Sequence, residues 1–240
     1  MPEPVRVPVG DGPHVGSDAE RVRTRRVLEA HWLGRVSYGA ALGMQDELVR
    51  RRRLGEIGDR LLLLEHPHVI TLGTASDVEH VLLGREERGL LGIELFETGR
   101  GGDVTYHGPG QLVGYPILDL KPDRRDLHTY IRDLEDALIR TVAEYGIRGE
   151  RRRGLSGVWV GREKIAAIGV RVSSGWITSH GFALNVNTDL RYFESIVPCG
   201  IRDGGVTSIE RLTGRVVPLE DVAACATLHV RAVFGRCATS

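Results

Sequence analysis

The chain of 240 residues lacks several features that mark whole classes of protein. Its three cysteines, Cys199, Cys225 and Cys237, form no CxxC pair, which argues against a disulfide framework and a zinc knuckle. No apolar segment approaches the roughly 20 residues that cross a bilayer. The first 24 residues contain no apolar stretch like that of a signal peptide. These absences predict a cytoplasmic protein with free thiols and no membrane partner.

Net charge is also absent, because 32 basic residues balance 32 acidic ones. A dedicated nucleic-acid-binding protein is usually basic overall, so the balance argues against nucleic acid as a partner. Lysine is scarce: Lys121 and Lys164 are the only lysines, and the other 30 basic residues are arginines. Arginine keeps its proton at any working pH, whereas lysine can release it. A lysine retained in this chain is therefore a candidate proton carrier.

What is present is a globular composition, with 41% hydrophobic and 27% charged residues. The length favours one large domain or a domain with an appendage, and a chain this long buries a sizeable core without disulfides or a structural metal. Four prolines fall within the first 13 residues, so residues 1–24 are predicted to be a flexible N-terminal tail. Residues 25–240 then form a single domain.

The periodicity of apolar residues predicts an α+β fold, with helices packed on one mixed β-sheet. Helices are predicted at 38–52, 127–145 and 222–234, and shorter helical pieces within 74–91 and at 190–196. The predicted strands do not alternate strictly with helices, and the last three are expected to form a meander. These strands are 27–34, 61–65, 69–72, 93–97, 104–106, 111–120, 156–160, 165–172 and 176–186.

Cys199 lies between a rigid residue and a flexible one, in the segment Pro198-Cys199-Gly200. Such a loop can expose a thiol and let another backbone approach it, but a small buried cysteine explains the segment equally well. Cys225 lies among alanines in a predicted helix, where a core cysteine is the better interpretation. Cys237, close to the C-terminus, has no predicted role.

Lys164 begins an apolar run, Lys164 to Val170, that is typical of a buried strand. Partial burial there favours the neutral amine over the ammonium. The ordinary alternative is a strand-end lysine whose ammonium reaches water.

The densest glycine run extends from Arg100 to Gln111. One interpretation is a loop whose backbone lies against a ligand, and the other is a tight hairpin followed by a turn. A phosphate-binding loop is a poor match, because no Gly-Lys-Ser/Thr follows the glycines.

Two other groups of residues carry weaker predictions. His66 and His68 are two residues apart without a cysteine or carboxylate pattern to complete a metal site, so no metal is predicted. Arg50–Arg53 and Arg151–Arg153 are basic clusters. A solvated surface is the usual explanation of such clusters, and a docking surface for an acidic protein is the alternative.

Six segments are specific when they are taken together: Glu65-His66-Pro67, Arg100 to Thr105, His107 to Leu112, Lys164 to Gly169, His180 to Asn185 and Pro198 to Ile201. They resemble the lipoyl(octanoyl) transferases, or octanoyl-[acyl-carrier-protein]:protein N-octanoyltransferases, of the biotin/lipoate ligase-like superfamily. The resemblance covers roughly residues 26–235 in the family's order. The N-terminal tail and the pair Asp103-Val104 depart from the family pattern.

The resemblance implies an acyltransferase that takes octanoate from acyl carrier protein and places it on a lysine of a lipoyl domain. Such domains occur in the E2 subunits of 2-oxoacid dehydrogenases and in the glycine cleavage H protein. The implied fold is that of the biotin/lipoate-protein ligase catalytic domain. No cofactor is implied, since the acyl donor is carried on the phosphopantetheine of acyl carrier protein.

The resemblance also implies a catalytic pair, with Cys199 as the acyl-thioester cysteine and Lys164 as the lysine that activates it. The acyl-substrate contacts implied by the family pattern fall on three segments of this chain. They are Arg100, Gly101, Gly102, Asp103, Val104, Thr105, Tyr106 and His107, then Ala167, Ile168 and Gly169, then Gly181, Phe182 and Ala183.

Three alternatives remain open from the sequence. An ATP-dependent lipoate or biotin ligase of the same fold would use a lysine near Lys164 but no nucleophilic cysteine. A non-enzymatic scaffold would bind carrier or lipoyl domains without chemistry, although Lys164 and Cys199 are both retained. A generic cysteine hydrolase is a weaker idea, because no His/Asp arrangement around Cys199 can be identified.

Overall fold

The computed structural model describes residues 27–197 and 204–235. The predicted tail at 1–24, Cys199 and Cys237 lie outside the described residues. In the described part, the strands are β1 Leu28–Arg35, β2 Asp59–Glu65, β3 Val69–Leu72, β4 Glu94–Glu97, β5 Thr105–His107, β6 Gln111–Ile117, β7 Glu150–Arg152, β8 Leu155–Val160, β9 Glu163–Val172 and β10 Thr178–Asn185. The α-helices are α1 Tyr38–Arg53, α2 Arg85–Leu90, α3 Leu127–Ala143, α4 Ile209–Thr213 and α5 Leu219–Phe234, and 3₁₀ turns occupy Val78–His80 and Leu190–Ser195.

A seven-stranded sheet in the order β1-β2-β6-β10-β9-β8-β7 forms the body of the fold. The pair β1/β2 is parallel, and the other neighbours are antiparallel. The predicted meander is confirmed as β8-β9-β10. Buried Leu61 to Leu64 explain why β2 lies inside the sheet, because a strand covered on both faces can be continuously apolar.

A second sheet of three strands, in the order β4-β3-β5, lies beside the first. The large sheet is mixed, as predicted, but the expectation that all strands belong to one sheet was wrong. Of the two interpretations of the glycine run, the hairpin is wrong, because β4 and β5 pair with opposite edges of β3 and not with each other. Residues 98–104 therefore cross from one edge of this sheet to the other.

The helices cover the large sheet on both faces. On one face α3 and α5 pack over the main core, which includes Leu134, Leu184 and Val230. On the other face α1 covers a smaller cluster that includes Ala41, Val113 and Ala183. Polar capping fixes two helix starts, since Ser37 accepts from the Ala40 amide and Asp126 accepts from the Thr129 amide.

Two elements, β7 and α4, were not predicted from the sequence; each is short. Cys225 lies within α5, as predicted, and is partly rather than fully buried. Across the described residues, none of the helices combines the length and the apolar character needed to traverse a bilayer.

Candidate active site

A cavity of about 190 Å³ lies between the α1 face of the large sheet and the small sheet. Its walls come from β5, β6, β9 and β10, from the crossing segment at 100–104 and from Tyr38 at the start of α1. The cavity follows β9 from Lys164 to Gly169, which is about 16 Å of strand. Residues far apart in the sequence therefore meet in one site.

Nearly all of the residues that the sequence predicted to contact substrate line this cavity. The crossing segment contributes Arg100 to Val104, β5 contributes Thr105 and His107, β9 contributes Ala167 to Gly169, and β10 contributes Gly181 to Ala183. Tyr106 is the exception. Its buried side chain points away, with its hydroxyl on Nδ1 of His68 at 2.7 Å and its ring stacked on Tyr192.

Small residues have two different roles around this cavity. Gly181 is required by the sheet itself, because a Cβ there would lie 2.1 Å from the carbonyl oxygen of Gly114. At Gly169 a Cβ would lie 3.0 Å from the carbonyl oxygen of Gly101, which shows how closely the crossing segment lies on β9. Ala167 and Ala183, by contrast, limit how far the walls project into the cavity.

Lys164 lines the cavity and is half-buried. Its Nζ is 4.7 Å from the ring centroid of Trp159, the residue opposite it on β8. Its backbone amide donates to Gly205 at 2.9 Å, and its carbonyl accepts from the Thr207 amide at 3.0 Å. The backbone of Lys164 is thus fixed on both sides, and its half-buried side chain agrees with the partial burial that the sequence predicted.

Cys199 lies outside the described residues, so its position relative to Lys164 stays a prediction. The described residues that precede and follow its segment both reach the site. Phe193 and Val206 line the cavity, and Val206 is bridged to Lys164. The amide of Val197 donates to the carbonyl oxygen of His80 at 2.8 Å.

A buried chain of hydrogen bonds supports the wall formed by β5, β6 and β10. Nε2 of Gln111 donates to Oδ1 of Asn185 at 2.9 Å, and Nδ2 of Asn185 donates to the carbonyl of Thr207 at 3.0 Å. Oε1 of Gln111 accepts from Nδ1 of His107 at 2.8 Å. Burial, together with nearby His66, lowers the pKa of His107 to about 3, so its ring is neutral at pH 7.

His66 is a second buried, neutral histidine beside the cavity. Its Nδ1 donates to the carbonyl of Val36 at 2.6 Å, so Nε2 carries no proton and accepts from the Tyr115 hydroxyl at 2.8 Å. Burial lowers the pKa of His66 to about 4. No group of three or more histidine, cysteine, aspartate or glutamate side chains within 27–197 and 204–235 is arranged to hold a metal ion.

Arg100 brings a buried positive charge to the far part of the cavity wall. Its guanidinium donates to the carbonyl and hydroxyl oxygens of Thr71 on β3, at 2.6 and 2.9 Å, and to the carbonyl of Gly101. Burial lowers the pKa of Arg100 from its usual value. These bonds fix the crossing segment to the small sheet.

Several cavity residues were missed by the sequence prediction. His180 adopts a left-handed backbone (φ 55°), and its amide donates to Oε1 of buried Gln45 in α1 at 2.7 Å. Burial, with Arg100 nearby, lowers the pKa of His180 to about 4. The other missed residues are Tyr38, Gln111, Val113, Tyr115, Gly154, Leu155, Ser156, Asn185, Phe193 and Val206. Of these, Gln111 and Asn185 lie inside the motifs His107 to Leu112 and His180 to Asn185 but were not assigned to the site, and the rest lie outside every motif.

Several arginines of the two basic clusters form ion pairs with acidic residues of the same chain. Arg50 and Arg51 form ion pairs with Glu56, and Arg52 pairs with Asp59 at 2.8 Å. Arg151 pairs with Glu135 at 3.0 Å. Much of the charge in both clusters is therefore balanced within the chain, and a docking role for them stays a prediction.

Comparison with known proteins matches residues 37–231 to the lipoyl protein ligase A/B catalytic domain. The chain belongs to this family. Members of the family named octanoyltransferase include one from Rubrobacter xylanophilus, 56% identical over 84% of this chain and 91% of the relative. Another, from Solibacter usitatus, is 54% identical over 84% of this chain and 90% of the relative.

Solved structures show where the lipoyl protein ligase A/B fold recurs. A lipoate protein ligase from Thermoplasma acidophilum superimposes with a TM-score of 0.64 at 16% identity, covering 86% of this chain and 84% of that one. A biotin protein ligase from Aquifex aeolicus gives a TM-score of 0.52 at 15% identity, covering 85% and 69%. The predicted family, the acyltransferase class and the α+β ligase-like fold are thereby confirmed.

Proposed function

We propose that this protein transfers an octanoyl group from octanoyl acyl carrier protein to a lysine of a lipoyl domain, through a thioester on Cys199. The octanoyltransferases at 54–56% identity support octanoyl transfer over ATP-dependent ligation. The observation that carries the proposal is that one cavity brings Lys164 together with small residues of β9 and β10 and with the crossing segment. The acceptors are the lipoyl domains of 2-oxoacid dehydrogenase E2 subunits and the glycine cleavage H protein.

In the proposed first step, the Cys199 thiolate attacks the carbonyl carbon of the octanoyl thioester. The new C–S bond forms as the bond to the phosphopantetheine sulfur breaks, and the departing thiolate takes a proton from the Lys164 ammonium. A free thiol is only about 3% thiolate at pH 7, so a nearby ammonium greatly increases the nucleophilic fraction. The exchange of one thioester for another is nearly isoenergetic.

In the proposed second step, the amine of the lipoyl-domain lysine attacks the acyl-Cys199 carbonyl carbon. A C–N bond forms, the C–S bond to Cys199 breaks, and the proton on the attacking nitrogen passes to the neutral amine of Lys164. The thiolate and ammonium are thereby restored. The product is an amide, so the reaction is downhill and needs neither ATP nor a cofactor.

The cavity accounts for acyl binding in this proposal. Ala167, Val113 and Ala183 offer apolar surface to an acyl chain. Ile168 and Phe182, which alternate with Ala167 and Ala183, belong to the main core on the other face of the sheet. Each buried methylene contributes about 0.8 kcal/mol, so a seven-carbon tail gains at most roughly 5 kcal/mol. We also propose that residues 25–240 are one catalytic domain. Its support is that β1 is the edge strand of the large sheet and that α5, from the other end of the described chain, packs on this sheet.

The test is the intact mass of the purified protein after incubation with octanoyl acyl carrier protein, without ATP. We expect a single octanoyl adduct that is absent from Cys199→Ser and that disappears from the wild type when a lipoyl domain is added. A folded protein that forms no adduct and modifies the lipoyl domain only with octanoate, ATP and magnesium would instead be a ligase. Binding without modification would indicate a scaffold.

A further inference from the structure

Lys164 and Arg152 both lie against one buried aromatic ring, that of Trp159. The Nζ of Lys164 is 4.7 Å from the ring centroid, and the guanidinium carbon of Arg152 is 4.9 Å from it. The two cations come from opposite sides of β8, because β9 and β7 are its two neighbours in the sheet. Since both lie within 5 Å of one centroid, they are within about one Debye length of each other at 0.1 M salt.

Trp159 is fixed in place. It is fully buried at 0% exposure and lies directly opposite Lys164 in the ladder of β8 and β9. Cε of Lys164 also lies close to Gly157 of β8, 3.6 Å from the position that a Cβ there would occupy. The lysine side chain therefore packs against β8 at the rigid ring and at the backbone of Gly157.

We propose that Trp159 is a positioning residue for Lys164, and that the ring and Arg152 act in opposite directions on the protonation of the lysine. The inference rests on the proposed function, in which Lys164 must be an ammonium in the first step and a neutral amine in the second. The electron-rich face of a tryptophan stabilises an ammonium. The fixed positive charge of Arg152 on the same ring favours the neutral amine.

Three further groups near Lys164 belong to the described part of the chain. Glu163 adjoins Lys164 on β9 and is paired with Arg211 of α4 at 3.4 Å. Asp103 lines the same cavity, and its carboxylate is held by His80. The segment 204–207 contributes its backbone, through Gly205 and Thr207. Trp159 and Arg152 are thus the groups through which the protonation of Lys164 can be changed with least effect on substrate contacts.

The experiment measures single-turnover transfer from preacylated enzyme to a lipoyl domain across a wide pH range. Trp159→Leu removes the aromatic face, so the neutral amine forms more readily. We expect the acid limb of the pH–rate profile to move to lower pH by roughly half a unit. The maximal rate should fall about tenfold or more because the amine is no longer held in place. Trp159→Phe keeps an aromatic face and should restore most of the rate and the position of the limb.

Arg152 supplies a matched pair of variants that does not disturb the buried ring. Arg152→Gln removes the like charge, so the acid limb should move to higher pH, whereas Arg152→Lys should leave it where it is in the wild type. This pair keeps the proposal testable even if Trp159→Leu does not fold. Two outcomes would overturn the proposal. One is an acid limb that stays at the wild-type pH in Arg152→Gln. The other is a Trp159→Leu variant whose melting temperature falls while its pH–rate profile is unchanged.

Lys164→Ala separates this inference from the proposed function. If that variant transfers octanoate with the wild-type profile, the assignment of Lys164 as the base is wrong, and the role of Trp159 fails with it. If Lys164→Ala loses the acid limb but the Trp159 and Arg152 variants keep the wild-type limb, the proposed function stands and only the positioning role is wrong.

Discussion

His80 and Asp103 form an ion pair at the edge of the cavity, with Nδ1 of His80 2.8 Å from Oδ2 of Asp103. Asp103 also accepts the backbone amide of Val104 at 2.7 Å, so its carboxylate is fixed in the crossing segment. The carbonyl of His80 accepts the amide of Val197, two residues before Cys199. One histidine thus connects the proposed acyl-binding segment to the chain that leads to the proposed nucleophile.

The contribution of this pair to stability should depend on pH. The hydrogen bond and charge of Asp103 raise the pKa of His80 above its ordinary 6.5. A raised histidine pKa stabilises the fold fully below the unfolded pKa, and the effect is lost as pH rises through the folded value. We expect the melting temperature of His80→Asn to lie below that of the wild type at pH 6 and to converge with it at alkaline pH.

Asp103→Asn provides the control for the same measurement, because its amide oxygen can still accept the Val104 amide while its charge is lost. It should show the same convergence at alkaline pH. A difference between His80→Asn and the wild type that is constant with pH would mean that the contact is important only for packing.

A second prediction concerns the identity of the cation at position 164. Arginine can supply the positive charge that favours a thiolate, but it cannot give up its proton to act as a base. Lys164→Arg should therefore keep partial acylation of Cys199 and lose most of the transfer to the lipoyl domain, by roughly 10²-fold or more. Intact mass measures the first step and modification of the lipoyl domain measures the second. Normal transfer by Lys164→Arg would refute the base assignment.

The third prediction concerns buried His66, whose pKa falls from 6.5 to about 4 on burial. Below pH 6.5 the unfolded chain binds a proton that the folded chain does not, so the free energy of unfolding falls as pH falls toward about 4. The loss is about 1.4 kcal/mol per pH unit at most within that window. His66→Asn should be less stable near pH 7 and should lose less stability on acidification.

Histidine 128 offers the matched control for this acid titration, since its side chain is 92% exposed. His128→Asn should follow the wild-type dependence of melting temperature on pH. An unchanged slope in His66→Asn would show that other groups cause the acid sensitivity.

The parts of the site that consist of short continuous motifs could be predicted from the sequence. The crossing segment, Lys164 and the small residues of β9 and β10 form short motifs, and the structure brings them to one cavity. The same motif failed at Tyr106, because strand alternation turns its side chain away from the cavity. The apolar pattern of a strand shows that successive side chains point to opposite faces of the sheet. It does not show which of the two faces meets the ligand.

Long-range pairing explains the other differences. The glycine run was compatible with a hairpin, but β3 binds both β4 and β5 and separates them. The residues of the glycine run and its flanking strands do not show that the earlier strand β3 lies between β4 and β5. Similarly, Gln45 in α1 meets the amide of His180, which is 135 residues away. Apolar periodicity carries no information on such polar contacts.

The last prediction concerns the length of the acyl chain. Ala167 lines the middle of the cavity on β9, so Ala167→Leu should fill space that an octanoyl chain would occupy. Each methylene excluded from apolar contact costs about 0.8 kcal/mol, or roughly a factor of four in kcat/KM. We expect kcat/KM for octanoyl acyl carrier protein to fall about tenfold or more, and kcat/KM for the hexanoyl donor to fall much less.

Ala224→Leu, on the exposed side of α5, is the control and should leave the ratio of the kcat/KM values for the two donors unchanged. An equal loss for both donors in Ala167→Leu would mean that the acyl chain does not pass this residue.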